Sequence, residues 1–151
     1  MKTGIVVAAL LAGAAAAGVA SLSGTWKLNV EKSSWGRARK PATVVIEIDH
    51  REPVLKYHGT ISYVNEDTRE FVFDGAIDGK EYALIRSYGA GKVRVERIND
   101  NSIVSTFRTD DGRYVETTRN SVSRDGKIMT RRINVQGPDG DTRWTEVYEK
   151  R

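Results

Sequence analysis

Few side chains in this 151-residue chain carry the chemistry of metal binding or nucleophilic catalysis. It has two histidines, His50 and His58, and no cysteine, so disulfide bonds and thiolate ligands are excluded. Asp49 and Glu52 lie close to His50 in the sequence. However, residues one or eight positions apart along strands do not bring three metal ligands together at one point. We expect both histidines to lie at the surface without a metal ion.

Motifs of the common catalytic classes are missing too. No Gly-x-Ser-x-Gly nucleophile elbow occurs, although other Ser-His-Asp arrangements stay open from one sequence. Gly89-Ala90-Gly91-Lys92 lacks the spacing of a phosphate-binding loop and precedes a predicted strand rather than a helix. We therefore expect a binding protein rather than an enzyme, with no cofactor.

Charged residues that could hold a ligand fall on predicted strand faces. Trp144, Glu146 and Tyr148 share one face of the last predicted strand, and the two aromatic rings indicate that this face points inward. A buried Glu146 needs a cationic partner, and Arg97 or Arg131 on other inward-predicted faces supplies one. Such a pair is either an internal ion pair that satisfies itself, which is the commoner case, or a polar anchor for a ligand head group.

The elements that position these residues are short strands. Segments such as Thr43 to Asp49 alternate apolar and polar residues, which is typical of half-buried strands. Five Asp-Gly pairs punctuate the chain, and Asp-Gly supplies the positive φ that type I′ hairpin turns require. Four pairs predict turns, at 78-79, 111-112, 125-126 and 139-140. The fifth, Asp74-Gly75, lies inside a predicted strand and indicates a bulge or a bend.

This pattern predicts an all-β fold, a single up-and-down antiparallel β-barrel of about 8-10 strands with little or no helix. Closure removes the strand edges that so long a meander would otherwise expose. A barrel also explains the modest hydrophobic content of 39%, because its interior can hold polar groups against water or a ligand. The polar segment 31-40 has room for one turn of helix at most.

The first 20 residues have the pattern of a secretory signal peptide. Lys2 precedes an apolar run from Ile5 to Leu11, and the small residues Gly18 and Ala20 suit cleavage after Ala20. An uncleaved anchor is the alternative. We expect a signal peptide at 1-20, one barrel domain at 21-151, and a periplasmic or secreted location.

Charge gives no support for a nucleic-acid partner, because 24 basic and 20 acidic residues are interspersed and the net charge is only +4. Seven arginines of the C-terminal half are concentrated on or near predicted strands: Arg108, Arg113, Arg119, Arg124, Arg131, Arg132 and Arg143. We favour a solvated surface for them over a cationic stripe that contacts an anionic envelope surface. A monomer is expected.

The first predicted strand carries Ser23-Gly24-Thr25-Trp26-Lys27-Leu28. It resembles the Gly-x-Trp signature of the calycins, the superfamily of lipocalins and intracellular fatty-acid-binding proteins. The segment from Arg143 to Lys150 is similar to the closing strand of the fatty-acid-binding branch. From residue 21 onward the chain resembles small secreted lipocalin-like bacterial proteins. This resemblance implies a barrel with Trp26 packed across its closed base and a small apolar or amphipathic molecule inside.

Two features depart from the fatty-acid-binding branch. Glu146 stands where that branch has the arginine of an Arg-x-Tyr pair, and its negative charge would repel a fatty acid's carboxylate. The segment 31-40 is too short for the two helices of the family's lid. Loops alone would then cover a cavity, with Trp35 as the candidate residue at its mouth.

We therefore predict a barrel that binds a small apolar or amphipathic molecule. The alternative is a non-catalytic envelope protein whose barrel is filled by its own side chains and whose loops or basic face contact a macromolecule. A continuous cavity favours the first hypothesis, and a solid interior favours the second. The candidate cavity residues are Tyr57, Phe73, Arg97, Phe107, Arg131, Glu146 and Tyr148.

Overall fold

The computed structural model describes residues 18–151, and within them the chain forms ten strands and no helix. Most of the predicted signal peptide lies outside the described residues. Within 18–151 no helix has the length and apolar character needed to cross a membrane. The strands are β1 (Gly24–Leu28), β2 (Thr43–Arg51), β3 (Val54–Ser62), β4 (Arg69–Ala76), β5 (Glu81–Arg86), β6 (Gly91–Asn99), β7 (Ser102–Thr109), β8 (Val115–Val122), β9 (Ile128–Gly137) and β10 (Gly140–Lys150).

The sheet closes on itself. Each strand pairs antiparallel with its neighbour in the sequence, and β1 also pairs with β10, where Trp26 lies opposite Lys150 and Leu28 opposite Tyr148. The predicted all-β up-and-down barrel is confirmed, with ten strands. Closure leaves no free edge between first and last strand for another chain to pair with.

The four predicted Asp-Gly turns are present, but their type differs from the prediction. Only the glycine has positive φ, whereas a type I′ turn requires it at both central residues. The type I′ assignment is therefore wrong. Asp111 shows the reason, because its Oδ1 accepts the backbone N–H of Arg113 at 2.9 Å and so holds the turn from the aspartate side chain. The glycine φ angles are 74° at Gly79, 71° at Gly112, 73° at Gly126 and 102° at Gly140.

Asp74-Gly75 lies inside β4, as predicted. The β3–β4 ladder runs through Gly75 opposite Leu55 without a shift in register, so the position is not a bulge. A Cβ at Gly75 would lie 2.6 Å from both Phe73 Cζ and Tyr82 Cγ. The missing side chain therefore lets these two rings meet edge to face, with centroids 6.0 Å apart.

Trp26 lies at the end of the barrel where the N-terminal segment crosses the strands. Its side chain is fully buried, and its Nε1 donates to the carbonyl of Leu22 at 2.8 Å. The ammonium of Lys150 lies 5.0 Å from the centre of the indole ring. These contacts hold the closed base of the barrel together.

His50 is buried at this same end, so the prediction of a surface position for it is wrong. Its Nδ1 accepts the backbone N–H of Leu22 at 3.1 Å, which fixes the N-terminal segment over the ring. Its Nε2 lies 2.7 Å from Glu52 Oε2, and Arg97 donates to both oxygens of Glu52 at 2.8 and 2.6 Å. The Arg97 hydrogen bonds hold the pKa of Glu52 below its ordinary value. His58 is exposed, as predicted.

Replacement of Trp26 tests the packing of the base. Trp26→Ala should lower the free energy of unfolding by about 3–5 kcal/mol, because it removes a fully buried ring and leaves a cavity. Trp26→Phe should lower it less, since only part of the ring and the bond to Leu22 are lost. Urea unfolding followed by far-UV circular dichroism measures both. A loss below about 1 kcal/mol for Trp26→Ala would contradict the structural role.

Candidate functional site

A cavity of about 510 Å³ occupies the other part of the barrel interior. Its volume lies within the range of about 300–1,000 Å³ that small-molecule sites have. Apolar side chains from many strands form most of its wall, including Ile46, Leu55, Phe71, Val93 and Ile133. The barrel is therefore not filled by its own side chains.

Loops and turns form the mouth of the cavity. The segment between β1 and β2 contributes Trp35 and Arg39, and the turns after β3 and β5 contribute Tyr63 and Tyr88. Arg39 forms an ion pair with Glu66 and lies 4.1 Å from the centre of the Tyr63 ring. Because the described residues contain no helix, loops alone cover the opening, as predicted.

Trp35 carries a buried hydrogen-bond donor without an acceptor. Its Nε1 has no partner among the described residues, although the indole ring lies against the cavity. An unpaired buried donor of this kind costs about 1–3 kcal/mol. A polar atom that reached this nitrogen would relieve that cost.

One side of the interior is polar because β8 points no apolar residue into the cavity. Alternation along β8 directs Glu116, Thr118 and Asn120 inward, next to Arg131 of β9. Arg131 lies opposite Glu146 of β10 in the ladder. The sheet therefore brings three charged groups and an amide to one face of the cavity.

Arg131 and Glu146 satisfy each other and their neighbours. Arg131 Nη1 lies 3.3 Å from Glu146 Oε2, and Arg131 Nε donates to Asn120 at 3.0 Å. Glu146 Oε2 also accepts the hydroxyl of Tyr148 at 2.7 Å, and its Oε1 accepts Trp144 Nε1 at 2.8 Å. Both carboxylate oxygens of Glu146 are thus occupied by protein groups. Arg131, and not Arg97, is its cationic partner.

Burial sets the protonation of this cluster. Burial and the Glu146 carboxylate raise the pKa of Tyr148 well above its ordinary value, so its hydroxyl stays protonated and donates. Burial alone would lower the pKa of Arg131, but the carboxylate of Glu146 raises it overall. Arg131 therefore remains charged, and the Tyr148 hydroxyl remains a donor to Glu146.

Glu116 differs from Glu146 because it has no cationic partner. Its only side-chain hydrogen bond is with the Thr118 hydroxyl, at 3.4 Å. Within residues 18–151 no basic nitrogen lies within 4.0 Å of its carboxylate. Burial raises the pKa of Glu116, against the opposing effects of Arg131 and Arg86. Glu116 therefore lines the cavity and does not belong to the outer surface of the barrel.

Arg86 at the end of β5 is also without a carboxylate partner in the part of the chain that the structure describes. Its Nε donates to the carbonyl of Gly89 at 2.6 Å. Its guanidinium carbon lies 4.0 Å from the centre of the Phe107 ring and 4.7 Å from that of Tyr88. These rings hold the cation at the cavity wall.

The residues singled out from the sequence divide between the cavity and the rest of the barrel. Phe73 is buried behind the wall, where it stacks on Tyr57 with centroids 4.9 Å apart. Arg97 lies away from the cavity, in its ion pair with Glu52. Those that line the cavity are Tyr57, Phe107, Arg131, Glu146, Tyr148 and, at the mouth, Trp35.

Sequence reasoning missed Glu116 and Arg86 as cavity residues. The available signal was Val122, a buried residue that ends the alternation Glu116, Thr118, Asn120 on the same face of β8. Val115 on the opposite face gives an equal apolar signal, so the sequence alone did not mark the inward face. The described residues contain no cluster of three or more His, Asp or Glu side chains that could hold a metal ion.

No protein-family model and no curated protein matches this chain by sequence. A solved structure that resembles it is the zebrafish ileal bile acid-binding protein in complex with cholic acid. The two share 16% identity over 85% of this chain and 98% of the other, with a TM-score of 0.58. At this identity the likeness shows the fold. In this chain that fold is a closed, up-and-down antiparallel β-barrel, as the sequence predicts.

A double-mutant cycle tests the internal ion pair. Glu146→Leu should lower the free energy of unfolding by about 3–5 kcal/mol, because it leaves Arg131 charged and unpaired inside the barrel. Adding Arg131→Met should recover much of that loss, since the double variant leaves neither charge behind. Chemical denaturation measures the coupling. Additive losses would show that the two side chains do not depend on each other.

The pH dependence of stability tests the burial of Glu116. A carboxyl whose pKa is raised by folding favours the folded state most when it is protonated, and this contribution is lost as pH rises through the folded pKa. Glu116→Gln should therefore raise the free energy of unfolding at pH 7 by roughly 1 kcal/mol, and the gain should shrink as pH falls toward 4.5, the reference value for glutamate.

The groups that act on Glu116 are Arg131 and Arg86, which favour its charged form, and Glu146, which opposes it. Glu47→Gln is the matched control on the outer face of β2. Thermal unfolding from pH 4 to pH 8 compares the variants. A Glu116→Gln gain that is absent at pH 7, or equal to that of the control, would contradict the burial.

Proposed function

We propose that this protein binds a small amphipathic molecule inside the barrel. The observation that carries this proposal is the cavity of about 510 Å³, with an apolar wall on most strands and charged groups on one side. A molecule with a hydrocarbon body and a polar group matches that division. The calycin fold of the zebrafish bile acid-binding protein, solved with cholic acid, supports the same class of ligand.

The apolar wall gives affinity, but not enough by itself. Burying ten methylene groups contributes about 8 kcal/mol at ~0.8 kcal/mol each. Association costs an estimated 4–15 kcal/mol in lost translational and rotational freedom. Polar contacts must therefore supply much of the net affinity and nearly all of the orientation.

A simple carboxylate is poorly matched to the deeper polar side. The one arginine there, Arg131, is already bound to Glu146 and Asn120, so it is not free to bind an anion. Glu146 and Glu116 would both repel a carboxylate placed next to them. At this deeper side, the ligand's polar group is therefore not a carboxylate held by a free arginine.

We also propose a periplasmic or secreted location. The support is the signal-peptide pattern of residues 1–20, with its lysine, apolar run and small residues before the expected cleavage site. In that compartment the barrel would carry or sequester a small amphiphile as a monomer.

The outer wall favours a second candidate function, contact with an anionic envelope surface. Arg119 lies directly opposite Arg132 across β8 and β9, and Lys92 opposite Arg108 across β6 and β7. None of these four forms a salt bridge within the described residues. Like charges in such positions are destabilising unless an anion lies between them. Arg131 does not belong to this stripe, because it lies inside the barrel.

Two neighbouring residues of β7 give a matched test of binding in the cavity. Ser105 lines the cavity, and Thr106 lies on the exposed outer face. Ser105→Trp should weaken binding of the neutral fluorescent probe N-phenyl-1-naphthylamine at least tenfold, because the indole occupies the ligand's space. Thr106→Trp should leave the affinity unchanged.

The readout is probe fluorescence during titration, with circular dichroism to confirm the fold of each variant. A thermal shift of the wild-type protein is the second measurement, since a ligand that binds only the folded state raises the midpoint with its concentration. No probe binding and no shift, or equal loss in both variants, would overturn the proposal and leave the outer wall as the functional surface.

A further inference from the structure

Two side chains of opposite charge lie next to one aromatic residue, Phe107, at the cavity wall. Glu116 of β8 is the cross-strand partner of Phe107 of β7. The guanidinium carbon of Arg86 lies 4.0 Å from the centre of the Phe107 ring. Both charged side chains line the cavity, together with Phe107.

These two charges do not pair with each other. Within residues 18–151, neither takes part in a salt bridge of 4.0 Å or less. Each has a neutral hydrogen-bond partner instead, the Thr118 hydroxyl for Glu116 and the Gly89 carbonyl for Arg86. Arg131 and Glu146 in the same cavity show that the fold can bring opposite charges into contact, at 3.3 Å.

An unpaired charge inside a barrel is costly. Removing an ion from water costs several kcal/mol even after relaxation, unless an opposite charge and hydrogen bonds replace the water. Glu116 and Arg86 are both half-buried, so each carries part of this cost unless a bound molecule supplies the opposite charge. Residues kept at such a cost are typical of binding sites.

We propose that Glu116 and Arg86 recognise a zwitterionic head group, with the ligand's ammonium at Glu116 and its anionic group at Arg86. This inference rests on the proposed function and specifies the ligand class. The apolar body of the molecule then lies along the aliphatic and aromatic wall, beside Phe107. A long-chain α-amino acid is a simple ligand of this class, because it carries an ammonium and a carboxylate on the same carbon.

A ligand with one charge fits less well. An anionic amphiphile would pair with Arg86 and leave Glu116 unpaired beside the incoming negative charge. A cationic amphiphile would pair with Glu116 and leave Arg86 unpaired. A zwitterion satisfies both side chains and adds no net charge to the interior.

Four probes with twelve carbons each separate these cases. They are 2-aminododecanoate (zwitterion), dodecanoate (anion), dodecylamine (cation) and dodecanol (neutral), used at pH 7 below their micelle concentrations. Affinities come from displacement of N-phenyl-1-naphthylamine. We expect 2-aminododecanoate to bind at least tenfold more tightly than dodecanol, since hydrogen bonds to charged groups contribute about 1.5–3 kcal/mol.

Two substitutions assign the charges. Glu116→Gln should weaken binding of 2-aminododecanoate and dodecylamine at least tenfold and leave binding of dodecanol unchanged. Arg86→Gln should weaken binding of 2-aminododecanoate and dodecanoate at least tenfold and leave binding of dodecanol unchanged. Glu47→Gln and Arg94→Gln, at exposed positions on outer strand faces, are the matched controls and should change none of the four.

Three results would overturn the inference. One is a zwitterion that binds no more tightly than dodecanol. Another is a loss of all four probes alike in the two variants. A third is an affinity for 2-aminododecanoate that falls in only one of the two variants, Glu116→Gln or Arg86→Gln, which would indicate a ligand with a single charge. In each of these cases the dye still binds and the proposed function stands. Failure of the dye and of all four probes to bind would instead contradict binding in the cavity itself.

Discussion

The interior of this protein depends on the hydrogen bonds between β1 and β10 that close the sheet. The contact is short, with three residue pairs from Trp26 opposite Lys150 to Leu28 opposite Tyr148. The same strand, β10, carries Glu146 and Tyr148 into the interior. If the sheet opened here, water would reach the buried ion pair and the apolar wall together. Closure therefore creates both the packed base around Trp26 and the enclosed cavity beyond it.

Within that closed sheet, polar side chains are distributed unevenly. Arg131 and Glu146 form a pair whose hydrogen bonds are all supplied by the protein, which makes it part of the scaffold. Within residues 18–151, Glu116 and Arg86 form no ion pair and are half-buried, so they are less well satisfied by the protein than Arg131 and Glu146. One ion pair is fully hydrogen-bonded by the protein, and two nearby charged side chains are not. This arrangement is expected where a binding site lowers the stability of the folded protein. The base around Trp26 and His50 supplies the compensating stability.

The fold was largely predictable from local sequence signals. Alternation marked most strands, and the glycines of the Asp-Gly pairs marked turns, because both signals act over a few residues. Glu146 was assigned inward correctly because Trp144 and Tyr148 flank it on the same face. Its partner could not be chosen between Arg97 and Arg131, because that choice depends on the register of β9 against β10. The burial of His50 depends on Leu22, 28 residues away, and leaves no local signal.

The proposed occupant of the barrel is a small amphipathic ligand, and native mass spectrometry of the protein purified from its natural source would detect it. We expect a one-to-one adduct of a few hundred daltons that is lost on denaturation. Its fragmentation would give the chemical class of the head group. A protein that carries no adduct, and that takes up none when incubated with an extract of its own cells under equally gentle conditions, would contradict the account.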